Sequence, residues 1–239
     1  SFSLREAMDY NKNDTLCPYW WSPNRGYPNY YNTECNYDYT VNAGLKIIPH
    51  SGNAYTSLII LNQFGYIEHL QSKLKTPLVA GQKYKLSFYV YFNSPHSYYC
   101  TYDIGAYFSE KQVLQTTERR CFYQNIMKPE YVAQVNNDKN NYLCEKDKWV
   151  LISGEFVAKG NEQYITLGIF YNDILFNNLR IKNYTRKYLK FLKNNIFKIN
   201  LDFDQSISND EYISGVPKKF KSCNWACYYI DDVVLELVK

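Results

Sequence analysis

Alternation of apolar and polar positions is the clearest pattern in the chain, and it is strongest between Tyr84 and Phe92. Every second residue there is apolar, while Lys85 and Ser87 fall on the opposite face. A period of two with aromatic and β-branched residues is typical of a half-buried strand. A polar break follows, and a second alternation over 102–108 predicts another strand. We expect these two strands to pair as neighbours in the middle of an antiparallel sheet.

The same alternation recurs along most of the sequence. It predicts strands over 54–61, 149–156, 164–170 and 228–238, and a strand rather than a short helix over 66–74. A Gly160-Asn161-Glu162 turn between two of them predicts a second hairpin. In the last strand the face that contains Tyr229, Asp231 and Val233 is the more apolar one. The pattern therefore predicts an all-β protein built as a two-sheet antiparallel sandwich.

Two longer segments depart from this alternation. Residues 110–148 are a polar excursion, and residues 172–222 contain apolar positions at spacings of three and four between Tyr184 and Ile199. That spacing predicts an amphipathic helix with several lysines on its other faces. The basic face is either solvated or meets a membrane surface or an anionic partner. We expect a single domain over 1–239 with insertions at about 110–148 and 172–222, the second of them partly helical.

Composition narrows the classes of partner. Aromatic residues make up 18% of the chain and include 26 tyrosines, which suit both sheet faces and ligand-facing surfaces. The net charge of +4 is small for 239 residues and does not indicate a nucleic-acid binder. No run of about 18 apolar residues occurs, so the sequence predicts no transmembrane segment.

The seven cysteines are informative about the cellular compartment of the protein. No CxxC pair is present and only three histidines occur, so the pattern does not indicate a zinc site. Cysteines in apparent loops are typical of disulfides in an oxidising compartment, which is extracellular, at the cell surface or periplasmic. Cys17–Cys35 and Cys223–Cys227 are the predicted local pairs. The odd count leaves at least one thiol free or paired between chains.

Five aromatic residues are candidates for ligand contact. Trp20 and Trp21 lie in a segment rich in Pro, Asn and Gly, and Tyr89, Tyr91 and Tyr107 occupy the outward positions of two predicted strands. Aromatic faces stack on the apolar faces of sugar rings, and polar neighbours bind the hydroxyls. The alternative is that the aromatics of the amino-terminal segment cover one end of the core.

Several stretches together carry a family resemblance. In chain order they are CPYWWSPNRGYPNYYNTEC, PHSGNAYTSLII, YIEHLQSKLKTPLVAGQKYKLSFYV, YDIGAYFS, WVLISGEFVAKGNEQYITLGIF and YYIDDVVLEL. With them the chain resembles a jelly-roll domain of the carbohydrate-binding-module type found in envelope proteins of the Bacteroidetes. Such domains often precede an OmpA-like peptidoglycan-binding domain or a secretion signal. The resemblance implies a jelly-roll sandwich and does not specify a ligand.

The resemblance also implies a structural calcium ion. In related sugar-binding jelly rolls such an ion ties the amino-terminal segment to the last strand. Carried onto this chain, the ligands are Glu6, the turn at Gly52 and Asp231. The amino-terminal pattern departs from the family, because Ser3 follows Ser1-Phe2 and the acid comes three residues later. Oxygen ligands of this kind suit Ca²⁺.

Three classes of function remain to be compared. The first is a non-catalytic module at the cell envelope or outside the cell that binds a glycan through surface aromatics. The second is a structural or protein-interaction subunit of a bacterial surface, secretion or motility complex, with an envelope protein as partner. The third, an enzyme, lacks support, because the chain contains neither GxSxG nor HExxH and its carboxylates form no evident pair. We expect no catalysis.

Overall fold

A computed structural model describes residues 19–24, 26, 28–34, 47–61, 67–93, 97, 99–114, 130–170, 197–199 and 226–238. Within these ranges the chain forms strands and no helix. The strands are β1 (Trp20–Trp21), β2 (Asn29–Asn32), β3 (Ala54–Leu61), β4 (Leu70–Lys73), β5 (Lys83–Phe92), β6 (Tyr99–Thr101), β7 (Gly105–Ser109), β8 (Val135–Asn136), β9 (Trp149–Val157), β10 (Tyr164–Gly168), β11 (Phe197–Ile199) and β12 (Ala226–Leu237). The predicted all-β class is confirmed.

Ten of these strands form two five-stranded antiparallel sheets. Sheet A has the order β1-β4-β10-β7-β8, and sheet B has the order β2-β3-β12-β5-β9. β6 and β11 form a separate two-stranded ribbon. The predicted two-sheet antiparallel sandwich is therefore confirmed.

The core lies between the two sheets, where each strand buries its apolar face. Leu86 and Phe88 of β5, Ile152 of β9 and Leu167 of β10 are almost completely buried. Across the gap, Phe108 of sheet A stacks on Phe156 of sheet B with ring centroids 4.5 Å apart. The alternation seen in the sequence is thus the alternation between this interior and the two outer faces.

The two predicted hairpins are wrong, although their strands exist. β5 belongs to sheet B and pairs with β12 and β9, whereas β7 belongs to sheet A and pairs with β10 and β8. β9 and β10 are likewise in different sheets. β3, β4 and β5 lie in sheets B, A and B in turn, and β9, β10 and β12 again lie in sheets B, A and B. The connections that contain the turn residues cross the sandwich instead of reversing within one sheet.

Two of these connections are hydrogen-bonded to each other at one end of the sandwich. The N–H of Leu74 donates to the carbonyl of Gln163 at 2.7 Å, and the N–H of Leu78 donates to the carbonyl of Glu162 at 2.9 Å. The turn between β9 and β10 needs a left-handed residue, which Gly160 supplies with φ of 103°. The Glu162 carboxylate then accepts the Gly160 N–H at 2.8 Å. Backbone groups in both connections are thereby satisfied.

A β-bulge in β12 changes which side chains face the core. Tyr228 and Ile230 point inward and are buried, whereas Tyr229 packs in an aromatic cluster outside the main core. The register shifts between Asp231 and Val234, and Val233 then packs against the core. The prediction of one continuous apolar face along this strand is therefore wrong. A bulge adds one residue to a strand and reverses the alternation beyond it.

The insertions are only partly described. Of the predicted helix, residues 197–199 form β11, which pairs with β6, so the helical pattern is wrong at its carboxyl end. The remainder of 172–222 lies outside the described residues. The single-domain organisation over 1–239 and the insertions at about 110–148 and 172–222 stay predictions. Over the described ranges we find no helix with the length and hydropathy needed to cross a membrane.

Candidate ligand-binding surfaces

The five predicted contact residues lie in three different places. Trp21 and Tyr107 are on the outer face of sheet A, and Tyr89 and Tyr91 are on the outer face of sheet B. Trp20 turns inward and packs against the main core. The structure therefore offers two separate faces where an aromatic platform was expected, and each face has its own chemistry.

On sheet A a single row of side chains crosses four strands. Trp21 lies opposite Gln71, Gln71 opposite Thr166, and Thr166 opposite Tyr107. Residues directly opposite each other in antiparallel strands share a face and touch. We call Trp21, Gln71, Thr166 and Tyr107 the polar row. Sequence analysis identified its two aromatic ends but not its centre, which is visible only once β4 and β10 are known to pair.

The polar row contains two buried polar atoms that have no partner. Gln71 and Thr166 are fully buried, and Gln71 Nε2 donates to Thr166 Oγ1 at 2.9 Å. Gln71 Oε1 and Trp21 Nε1 make no hydrogen bond, and they are two of the three such side-chain atoms in the described part of the chain. An unpaired buried polar group costs about 1–3 kcal/mol, so such atoms are uncommon and call for an explanation.

Aromatic rings surround the polar row. Tyr164 meets Trp21 edge-on at 6.3 Å, and Tyr131 lies against Tyr107 at 5.2 Å. All four rings are half-buried, so parts of them reach solvent. Burial raises the pKa of the Tyr107 hydroxyl, with smaller contributions from Tyr131 and Glu130. The hydroxyl consequently stays protonated and can donate a hydrogen bond.

The segment that follows β7 covers part of this face. Val113 is buried beside Phe170, and its carbonyl accepts a long hydrogen bond of 3.4 Å from Gln71 Nε2. At that length the bond is weak. A hydroxyl that entered the polar row would compete with this carbonyl for the amide of Gln71.

The outer face of sheet B carries a larger aromatic cluster, formed by Tyr31, Tyr55, Tyr91, Tyr229 and Trp149 around Ile47. Its polar tips are occupied from within the protein. Tyr91 Oη donates to Asp147 Oδ1 at 3.2 Å, Tyr229 Oη accepts from Asn93 at 2.9 Å, and Trp149 Nε1 donates to the Ile48 carbonyl at 2.9 Å. The cluster is a second, small core beneath residues 47–50.

Tyr89 and Tyr91 are therefore placed differently from each other. Tyr91 is 8% exposed and belongs to the cluster, while Tyr89 is half-buried under the ring of His50, with ring centroids 3.5 Å apart. Next to Tyr89 the same face exposes two apolar side chains, Leu151 and Val234. This part of sheet B therefore exposes apolar side chains beside the half-buried Tyr89 ring.

The predicted calcium ligands are only partly described. Asp231 Oδ2 accepts the N–H of His50 at 2.8 Å, and Asp232 Oδ1 accepts the Ser51 hydroxyl at 2.6 Å. The turn containing Gly52 thus presents hydrogen-bond donors to both carboxylates. Desolvation raises the pKa of Asp231. Because Glu6 lies outside the described residues, the calcium site stays a prediction.

The cysteine pairing differs from the prediction in two respects. Cys100 and Cys144 form a disulfide that the sequence did not indicate, because the two residues are 44 positions apart. Cys227 is a free, buried thiol, so the predicted Cys223–Cys227 pair is wrong. Its thiol lies beside Asn93, whose amide also donates to the Tyr229 hydroxyl, so Cys227 is on the side of β12 that faces away from the main core. Cys17 and Cys35 lie outside the described residues, and their pairing stays a prediction.

Comparisons with known proteins show only distant similarity. No family model matches the chain, and no curated protein matches it. Among solved structures, it is similar to the CBM22-1–GH10 modules of endo-1,4-β-D-xylanase 10B from Clostridium thermocellum, complexed with xylohexaose (12% identity, TM-score 0.40). It is also similar to a CBM22 tandem domain from Paenibacillus barcinonensis (12%, 0.41) and to a cleaved adhesin domain of Lys-gingipain from Porphyromonas gingivalis (10%, 0.36).

These alignments cover 92%, 99% and 89% of this chain in turn. The chain spans 26% of the first of those chains, 49% of the second and 84% of the third. At such low identities and TM-scores we draw no conclusion from them about the ligand. The assignment of a site depends on the side chains described above.

Proposed function

We propose that this chain is a non-catalytic module that binds a glycan on the outer face of sheet A. The observation that carries the proposal is the polar row, in which Trp21 and Gln71 lie opposite each other and each has a buried polar atom without a partner, the Trp21 Nε1 donor and the Gln71 Oε1 acceptor. A sugar hydroxyl both donates and accepts hydrogen bonds, so sugar hydroxyls can satisfy an unpaired donor and an unpaired acceptor alike. None of the four side chains of the row is charged at neutral pH, which favours a neutral sugar.

Stacking would supply the remaining affinity. The half-buried rings of Trp21 and Tyr164 border the row, and apolar sugar faces bind to such rings. A hydroxyl that replaced the long Val113 contact would give Gln71 a shorter hydrogen bond. Together these interactions have the composition of a small-molecule site, in which apolar walls surround a few oriented polar groups.

Three candidate carboxylates for glycosidase chemistry are engaged in structural contacts, which supports the non-catalytic assignment. Glu68 accepts the backbone N–H of Ile59 at 2.7 Å, Asp103 accepts from the Asn136 amide at 2.9 Å, and Glu155 pairs with Lys83 at 2.5 Å. Each has a structural partner. Glycoside hydrolysis requires two carboxyl groups that face each other across the scissile bond.

An oxidising location fits the same proposal. The Cys100–Cys144 disulfide is of the kind that persists outside the cytoplasm, so we propose an extracellular, cell-surface or periplasmic module. Association with an envelope complex remains part of this proposal.

Glycan binding is tested with the folded protein and two alanine variants. We expect a glycan array followed by calorimetry to identify a ligand. Trp21→Ala should lower the affinity for that ligand at least tenfold, about 1.4 kcal/mol. Tyr89→Ala removes a half-buried ring from the outer face of sheet B and serves as the matched control. We expect it to leave affinity unchanged. Loss of binding in Tyr89→Ala alone would move the site to sheet B, and no glycan binding by folded protein would refute the proposal.

A second function is favoured by the exposed apolar residues of sheet B. Leu151 is 49% exposed and Val234 is 44% exposed, and both lie near Tyr89 on one face. Adjacent exposed apolar side chains favour a protein contact. If the chain is a subunit of a surface complex, a stoichiometric envelope protein should co-purify with it, and Leu151→Asp should release that protein while Trp21→Ala should not.

A further inference from the structure

A cavity of about 180 Å³ lies between the two sheets, at the edge formed by β1 and β2. Sheet A contributes one wall and sheet B the other. Its lining includes Trp20, Tyr30, Thr56, Leu70, Ile230 and Val233. The cavity is partly open to solvent at this edge, so a small molecule can enter it.

The polar groups around the cavity already have partners within the protein. Thr56 Oγ1 donates to the Asn29 carbonyl at 3.0 Å. At one end, the carboxylate of Asp231 accepts N–H groups from His50 and Asp232, each at 2.8 Å. A polar ligand would find few unsatisfied groups to bind. The cavity therefore suits an apolar occupant.

The volume of the cavity and the charges at one end of it narrow the class of ligand further. An engineered cavity of about 150 Å³ with apolar walls binds benzene, so this one is large enough for one aromatic ring. Trp20 and Tyr30 supply aromatic walls, against which a ring packs well. Asp231 and Asp232 border one end and disfavour an anionic group.

From this geometry we propose a second ligand site, between Trp20 and Tyr30, that takes one small uncharged aromatic ring. The site is independent of the polar row, because Trp20 faces the interior while Trp21 faces the outer surface of sheet A. Its ligand is a ring of benzene or toluene size. A sugar is excluded from this site by its many hydroxyls.

The first test measures toluene and benzoate binding to the folded protein by ligand-observed NMR. We expect saturable toluene binding with a Kd on the order of 1 mM, and benzoate at least tenfold weaker. Two results would overturn the proposal, namely no saturable toluene binding up to its solubility limit, or equal binding of the two probes.

The second test fills the cavity. Val233→Phe places a ring in the cavity and should weaken toluene binding at least tenfold. Val234→Phe is the matched control, since it makes the same change at the next position, which is 44% exposed on the outer face. If Val233→Phe does not fold, as judged by circular dichroism, Ala54→Leu fills the same cavity from β3. Unchanged toluene binding in a folded cavity-filling variant would refute the site.

Discussion

Tyr228 and Leu143 are joined by a hydrogen bond of 3.1 Å from the tyrosine hydroxyl to the leucine carbonyl. The same hydroxyl accepts the N–H of Thr101 at 2.8 Å, and the tyrosine is fully buried. Burial raises its pKa, so the hydroxyl stays protonated. Tyr228 thereby connects the central strand of sheet B to the two chain segments that the Cys100–Cys144 disulfide also joins.

Removing this hydroxyl should destabilise the fold. We expect Tyr228→Phe to lower the free energy of unfolding by about 1–3 kcal/mol, because two buried backbone groups lose a partner. Urea denaturation measures the difference. Tyr89→Phe, which removes a half-buried hydroxyl, is the control and should change stability by less than about 0.5 kcal/mol. Equal effects of the two variants would contradict this assignment.

The disulfide should contribute more than any one hydrogen bond. Closing a loop of 44 residues stabilises by about 4 kcal/mol in the chain-entropy model, and measured effects are often smaller. We expect the double variant Cys100→Ala/Cys144→Ala to lose about 2–4 kcal/mol in urea denaturation. Cys227→Ala, which removes a buried thiol but no cross-link, provides the comparison. A loss in the double variant no larger than in Cys227→Ala would contradict the role of the disulfide.

Cys227 should be chemically inert in the folded protein. Burial, with a smaller contribution from the nearby Glu68 carboxylate, raises the pKa of its thiol to about 12. Thiol reagents attack the thiolate, which is scarce at pH 8 under these conditions. We expect peptide mapping after alkylation to find Cys227 unmodified in native protein and fully modified in urea. A peptide in which Cys223 and Cys227 are cross-linked would contradict the structure.

Asp232 should stabilise the fold more at neutral than at acid pH. Desolvation raises its pKa, but hydrogen bonds from Ser51 and His50 outweigh this, so its pKa lies below the usual 3.8. A lowered native pKa gives stability that is present above pH 3.8 and is lost as the pH falls through the native value.

The variant Asp232→Asn tests this pH dependence. Asp232 has a φ of 49°, a conformation that Asn also tolerates, so the substitution does not strain the backbone. We expect a loss of about 1 kcal/mol at pH 7 that shrinks towards pH 3 in urea titrations. A loss of the same size at both values would show that the charge plays no part.

The sequence predicted most strands well, because the period of two is a direct consequence of having one buried face. β5 and β9 were located within one or two residues of their ends. Their pairing was not predictable in the same way. Apolar alternation says which side chains of a strand are buried, but both sheets bury the same kinds of residue. Hairpins were therefore expected where the chain actually crosses between sheets.

The candidate site was predictable only at its ends. Trp21 and Tyr107 were chosen for their aromatic rings, whereas Gln71 and Thr166 look like ordinary polar positions of a strand until β4 and β10 are paired. The Cys100–Cys144 disulfide and the bulge at Asp231 depend on the same long-range pairing. Contacts between residues far apart in the chain leave no local pattern.

The central position of β12 has a consequence for biosynthesis. Residues 226–237 lie between β3 and β5 in sheet B, so each of those two earlier strands lacks its partner on one edge until β12 inserts between them. Strand pairing over such separations in the chain is slow. During synthesis β3 and β5 therefore each keep one unpaired edge until about two hundred residues have been made, and such edges favour aggregation of the incomplete chain.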